Sequence, residues 1–324
     1  MMTNSAIVRN HGLDFLKGIL ACVIVFTHAP FPKPFGLYVA YFGTISVSVF
    51  FMVAGYFSLG ASNRKLRHSI KRTFIYLLVA EVLYLFKKLI AGGFDFQALF
   101  NFLDTEVFTL EHMAKLLVIS QSKICFLAWF LISLLMCYVL KLLLGPHLRV
   151  LGYLGMAVGI VVSLPPIDNQ MDFPVSNPWL WGIPFFTLGE CLREHETELL
   201  KRIGRKGLVG CCLLGIAIII ISRYYGTQWW FIGNYVLAPV LFLLFADSDM
   251  KKNWFCLLGS TYVFFIFIVH PLVLYAYHVF RHNPSTGEMW LRPLIVLAMT
   301  IALAVVYYGL KGWLRNTIRR QPEL

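Results

Sequence analysis

The stretch LDFLKGILACVIVFTH, residues 13–28, sets an aspartate, a lysine and a histidine into an otherwise apolar run. An α-helix turns about 100° per residue, so Lys17 and His28, eleven positions apart, differ by only ~20° around the axis, with Asp14 on the same side. The rise of ~1.5 Å per residue separates them by about 16 Å, too far to touch but right for lining one pathway. Ionisable groups on a membrane helix cost several kcal/mol unless they face a bundle interior or a watery cavity, which makes each of them a functional candidate. Bland readings stay open beside this one. Asp14 and Lys17 are i,i+3 neighbours that an ion pair at a helix start would satisfy, and His28, followed by Ala29-Pro30, also suits a histidine at the membrane interface.

The rest of the chain supports a membrane setting. Of 324 residues, 59% are hydrophobic and 14% charged, whereas a soluble domain carries near ~25% charge. The mean hydropathy is +0.72. Apolar runs of about 20 residues predict helices near 13–30, 38–59, 70–91, 124–144, 148–165, 178–195, 206–223, 228–246, 258–280 and 291–313. The expected fold is therefore all α: a polytopic integral membrane protein, a bundle of about ten transmembrane helices in one domain over residues 1–324. With the N-terminus inside, nineteen of the 28 Lys and Arg residues fall on the inner side, chiefly in 64–72, 193–206 and 311–320. This asymmetry predicts that both termini are cytoplasmic. The net charge of +12 is then a topology signal and implies no nucleic-acid partner.

The seven cysteines lie in or at the ends of these runs and form neither a disulfide framework nor a CxxC pair; no His/Cys/Asp cluster has metal-ligand spacing. The first apolar run is opened by Asp14 and Lys17 and lacks a small-x-small cleavage site, so it is expected to stay in the mature protein. In the second run, Ser46, Ser48, Ala54 and Gly55 are small residues that permit close helix approach, here expected against the first helix. Residues 64–72 and 193–206 read as cationic inner loops.

Residues 92–123 form one long excursion in which Asp95, Asp104, Glu106 and Glu111 alternate with Phe94, Phe96, Phe100, Phe102 and Phe108. Amphipathic pieces on the outer surface are expected there, either covering an acceptor site or lying as a plain interfacial lid. Trp129 has the position of an aromatic-belt residue. PPIDNQMDFPVSNP, residues 165–178, reads as a rigid, mildly acidic outer loop, and Glu190 as a cheaply exposed carboxylate at the cytoplasmic boundary. His270, followed by Pro271, falls near mid-membrane, where either a structural or a functional role fits it.

Five landmarks in this order resemble a known family. LDFLKGILACVIVFTH resembles a first-helix signature of Leu-Asp, then Arg, then His after ten intervening residues. VFFMVAGYF, residues 49–57, is similar to a Phe-Phe-x-x-Ser-Gly-Tyr/Phe stretch, and AWFLISLLMCYVL, residues 128–140, to a Trp-Phe-Leu helix. WLWGIPFFTLGECL, residues 179–192, resembles a helix ending in Phe-x-x-Gly, and LGSTYVFFIFIVHPLV, residues 258–273, the late Leu-Gly-x-x-Ser…Tyr-Leu-x-His-Pro helix. Together they resemble the membrane acyltransferase-3 family, the integral membrane O-acetyltransferases of bacterial surface glycans. Lys17 stands where the family usually has Arg, keeping the charge but losing the bidentate fork, and Ala54 replaces the Ser before Gly55.

The resemblance implies a cell-membrane enzyme that moves an acetyl group from cytoplasmic acetyl-CoA to a hydroxyl of a surface polysaccharide or its lipid-linked precursor, with no metal. Acyl transfer to a sugar hydroxyl needs a base near neutral pKa or a nucleophile that first takes the acyl group, and His28 suits either role. Lys17 would hold the thioester end or offset charge, Asp14 would orient Lys17, and His270 would position substrate or share the proton. Arg64, Lys65, Arg67, Arg72, Arg202 and Arg205 would meet the phosphates of the donor. A transporter or flippase of a lipid-linked sugar or small polar solute is the competing reading, since polar interior faces and proline-broken helices suit both.

Overall fold

The structure is a computed structural model that describes residues 10–164, 177–225, 230–281 and 285–319. Among these residues the chain is all α. The helices are α1 (His11–His28), α2 (Phe35–Tyr56), α3 (Asn63–Ala91), α4 (Phe96–Phe102), α5 (Leu110–Ile119), α6 (Ala128–Leu144), α7 (Leu148–Val162), α8 (Ile183–Tyr225), α9 (Trp230–Ala246), α10 (Trp254–Leu257), α11 (Val263–Phe280) and α12 (Thr286–Arg319). π-helical turns at Leu103–Val107, Pro178–Gly182 and Leu258–Tyr262 join some of them. The proline-rich segment 165–176 lies outside the described residues.

Six helical stretches among the described residues are long and apolar enough to cross a membrane: His11–His28, Phe35–Tyr56, Ala128–Val162, Pro178–Ser222, Trp254–Phe280 and Thr286–Thr317. Two of the six are interrupted. Gly145 (φ 56°, ψ −123°) ends α6 ahead of a 3-10 turn, and Gly204 (φ 64°, ψ 164°) breaks α8. Both φ values fall in the left-handed region that glycine enters without steric cost.

Both cationic segments expected as loops are largely helical. Ser62 caps α3 by accepting the Lys65 N–H, so residues 64–72 are its first turns. In 193–203 the charged residues are themselves good helix formers, and Glu198 pairs with Arg202 at 2.6 Å one turn on. Low hydropathy there marks a helix that leaves the apolar region, not a loss of helix. The excursion after α3 is also ordered. Thr109 caps α5, while Phe94, Phe96, Phe100, Phe108 and Leu110 stay exposed. Lys115, 2.5 Å from Glu111, holds that exposed carboxyl below its usual range through their hydrogen bond.

The chain divides into two compact units, Met1–Ser46 with Phe245–Leu324, and Val47–Leu244. In lipid there is little hydrophobic drive between helices, so close packing and polar contacts hold such units together. In the first unit α2 approaches α1 closely, as expected, at Gly43, where a Cβ would overlap Thr27 Oγ1, and in the second unit its small residues also meet α8. A Cβ on Gly55 would overlap the Phe186 carbonyl, and one on Gly189 would overlap the Met52 backbone. Ser48 accepts the indole N–H of Trp181 at 2.9 Å, Trp181 in turn lies 5.8 Å from Trp129, and Phe185 stacks on Tyr235 at 4.5 Å. Trp129 itself is half-buried.

Glu190 also differs from expectation. It is fully buried, with Lys141 Nζ 2.5 Å and Arg149 Nε 3.7 Å away, and Arg149 reaches on to Glu194 at 2.6 Å. A carboxylate with no water contact persists because two cations compensate it.

Candidate active site

The first unit is assembled around α1. Asn10 starts the helix: its Oδ1 accepts the Leu13 N–H at 2.9 Å, and its Nδ2 donates to the Ala246 carbonyl at 2.8 Å. From there α1 runs unbroken to His28, so Asp14, Lys17 and His28 keep the stripe that their spacing sets. Asp14 Oδ1 and Lys17 Nζ are 2.7 Å apart, with side chains 8% and 17% exposed. This ion pair is inside the structure and not a solvated helix end.

Lys17 and Asp14 face the π-helical turn at Leu258–Tyr262. A Cβ on Gly259 would overlap the Asp14 carbonyl and come within 2.9 Å of Lys17 Cβ, and a Cβ on Gly18 would overlap the Phe255 carbonyl. Glycine on both sides brings the two backbones together. π-turns recur at functional positions, where the extra residue re-aims side chains.

Eleven residues further along both segments, His28 meets His270, with ring centroids 5.2 Å apart and planes inclined by 38°. The pairings 17 with 259 and 28 with 270 ascend together, so α1 and the Trp254–Phe280 stretch run parallel and in register. Lys17 and His28 therefore look toward one neighbouring segment. Ala21, Val25, Leu258, Tyr262 and Ile266 fill the space along the same contact.

His270 is fully buried. Its Nδ1 is 2.8 Å from the carbonyl of Ile266, one turn back. A carbonyl only accepts, so in the neutral ring Nδ1 carries the proton and Nε2 the lone pair. Nε2 is buried with no hydrogen-bond partner among the described residues. Pro271, which has no N–H, follows within α11. An imidazole whose Nδ1 proton is committed in this way leaves the Nε2 lone pair as its acceptor.

The six cationic residues expected at the donor phosphates lie apart from the histidines in sequence and belong to the second unit. Arg64, Lys65, Arg67 and Arg72 are exposed on the first turns of α3. Arg202, paired with Glu198, and Arg205 flank the break at Gly204. Nearby Arg193 is engaged: it donates to Tyr56 Oη at 2.8 Å, and Tyr56 donates to Glu196 at 2.6 Å. Among the described residues no group of three or more His, Cys, Asp or Glu side chains could hold a metal ion.

Reading the sequence missed the glycine contact at Gly18 and Gly259; the Leu-Gly-Ser run at 258–260 was its only local sign. Comparisons with curated proteins and with solved structures give no match. The family model described as an acyltransferase domain, Acyl_transf_3, matches residues 10–309 and so spans α1, the π-turn at Gly259 and the His28–His270 pair. The chain belongs to the acyltransferase-3 family.

Proposed function

We propose that the protein is a cell-membrane O-acyltransferase that moves an acetyl group from cytoplasmic acetyl-CoA to a hydroxyl of a surface polysaccharide or of its lipid-linked precursor. The observation that carries this reading is the pairing of His28 with His270 in a chain of acyltransferase family. One imidazole takes the proton of the sugar hydroxyl as its oxygen attacks the thioester carbonyl. The C–S bond breaks, the ester remains on the sugar, and the leaving thiolate of CoA takes up the proton. General base catalysis of this kind contributes about 10²–10⁴-fold.

Lys17, held by Asp14, offsets negative charge along the route between the donor side and the histidines. Arg64, Lys65, Arg67, Arg72, Arg202 and Arg205 supply charge-assisted hydrogen bonds to the phosphates of CoA. In this reading both termini are cytoplasmic and the helices cross ten times. The breaks at Gly145 and Gly204 each turn one long stretch into two crossings, and α3 and α9 add two more. The parallel course of α1 and α11 agrees with the odd number of crossings that this topology puts between them.

The test compares the O-acetyl content of surface glycan in cells carrying the wild type or His28→Ala at matched protein level. Loss of acetylation is expected. Unchanged acetylation would remove the catalytic assignment.

A further inference from the structure

At the end of α1 the chain leaves His28 through Ala29-Pro30 and turns into α2. Phe31, in that turn, packs on Phe26 of α1 at 5.3 Å, on Phe35 at 5.4 Å and on Trp290 at 6.0 Å, and Phe35 stacks on Trp290 at 5.9 Å with planes 30° apart. Two features hold this cluster in place. Arg292 donates to the Pro30 carbonyl at 2.8 Å, tying the turn to α12. Ser285 and Glu288 form a reciprocal cap, with the Ser285 N–H on Glu288 Oε2 at 2.8 Å and the Glu288 N–H on Ser285 Oγ at 3.3 Å, which fixes the first turn of α12 and so Trp290.

Phe26 and Phe31 are half-buried, whereas Phe35 is 49% and Trp290 45% exposed, so the outer part of the stack is open. Pro30 is two residues from His28, which keeps their Cα atoms within about 8 Å. Aromatic faces are electron-rich and edges electron-poor. A pyranose ring presents a face of weakly positive C–H bonds that matches such a surface, while its hydroxyls stay free for bonds at the rim. Arg281 and Glu288, paired at 3.2 Å beside this helix start, are polar groups of the kind that meet hydroxyls.

We propose that Phe35 and Trp290 form an open aromatic platform, beside the end of α1 that carries His28, on which a pyranose ring of the glycan acceptor stacks. The proposal rests on the acceptor class given above and extends it to a subsite. Acyl transfer needs the hydroxyl oriented at the base within about 3.5 Å, and a stacked ring supplies that orientation without charge.

The full chain in lipid nanodiscs is tested by saturation-transfer NMR, irradiating aromatic protons with methyl glucopyranoside, methyl galactopyranoside and methyl N-acetylglucosaminide as probes. Transfer to ring C–H protons is expected for at least one probe. It should fall by at least about threefold in Trp290→Leu and in Phe35→Leu, the loss one aromatic contact supports, and persist in Trp290→Phe and in His28→Ala. No transfer in the wild type, or undiminished transfer in the doubly substituted leucine variant, would overturn the proposal. So would leucine variants that lower only the amount of folded protein while transfer per molecule stays the same, which is the mark of an interface belt. Platform-dependent transfer together with unchanged glycan acetylation in His28→Ala cells would leave the platform standing and remove the acyltransfer reading.

Discussion

His28 and His270 face each other from two helices that run the same way, their ring centroids 5.2 Å apart although 242 positions separate them in the chain. With Nδ1 of His270 committed to the Ile266 carbonyl, its Nε2 is the nitrogen left to exchange protons. His270→Asn keeps a donor for that carbonyl and removes the ring base. Acetylation of glycan should fall by about 10²-fold or more, within the range for loss of a general base. If the two rings act as a unit, His28→Ala with His270→Asn should be no worse than the poorer single variant, because such effects are not additive. Fully additive losses would mean that the rings work separately.

The Asp14–Lys17 pair separates a structural from a functional role for its charges. Removing one partner leaves a buried charge uncompensated, so Lys17→Met and Asp14→Leu should each lower stability by about 3 kcal/mol. The double substitution should recover most of that loss in thermal unfolding of the detergent-solubilised protein. Acetyl transfer should not return with it if Lys17 offsets charge on the substrate, and Lys17→Arg should retain activity. Recovery of both stability and transfer in the double variant would reduce the pair to an anchor.

The stripe on α1 was legible because it is local: eleven residues at 100° each bring Lys17 and His28 to one side whatever surrounds them. The segment that this stripe meets was not, because no local pattern links residues 17 and 28 to residues 259 and 270. Charge misled where it was read as exposure. Glu190 lies at the end of an apolar run and is fully buried, since Lys141 and Arg149 come from other helices. Residues 193–203 looked like a loop because hydropathy reports burial, whereas helix there follows from the propensity of Glu, Leu, Lys and Arg.

Gly18 and Gly259 set how closely α1 approaches the π-turn, and that distance places Lys17. Gly259→Ala adds a methyl that overlaps the Asp14 carbonyl. Overpacking costs about 1–3 kcal/mol and should outweigh the ~1 kcal/mol by which alanine favours helix over glycine. Transfer should drop as Lys17 is displaced. Gly210→Ala in α8 is the control, because nothing lies within 4 Å of its added methyl; it should be neutral or stabilising. Equal melting temperatures for the two variants would show that the contact at Gly259 is not tight.

Glu190 and Glu194 share Arg149 but differ in burial, the Glu190 side chain being 0% and that of Glu194 45% exposed. Desolvation decides between them. Glu190→Ala strands the Lys141 ammonium, which is 10% exposed, and should cost about 3–5 kcal/mol. Glu194→Ala removes a half-exposed partner and should cost no more than about 1 kcal/mol. Replacing both members of the buried pair, Glu190→Leu with Lys141→Met, should recover most of the first loss, because an apolar pair of similar volume carries no desolvation penalty. The order of melting temperatures in detergent checks the argument, and a Glu194→Ala loss equal to that of Glu190→Ala would refute the view that burial makes this carboxylate matter.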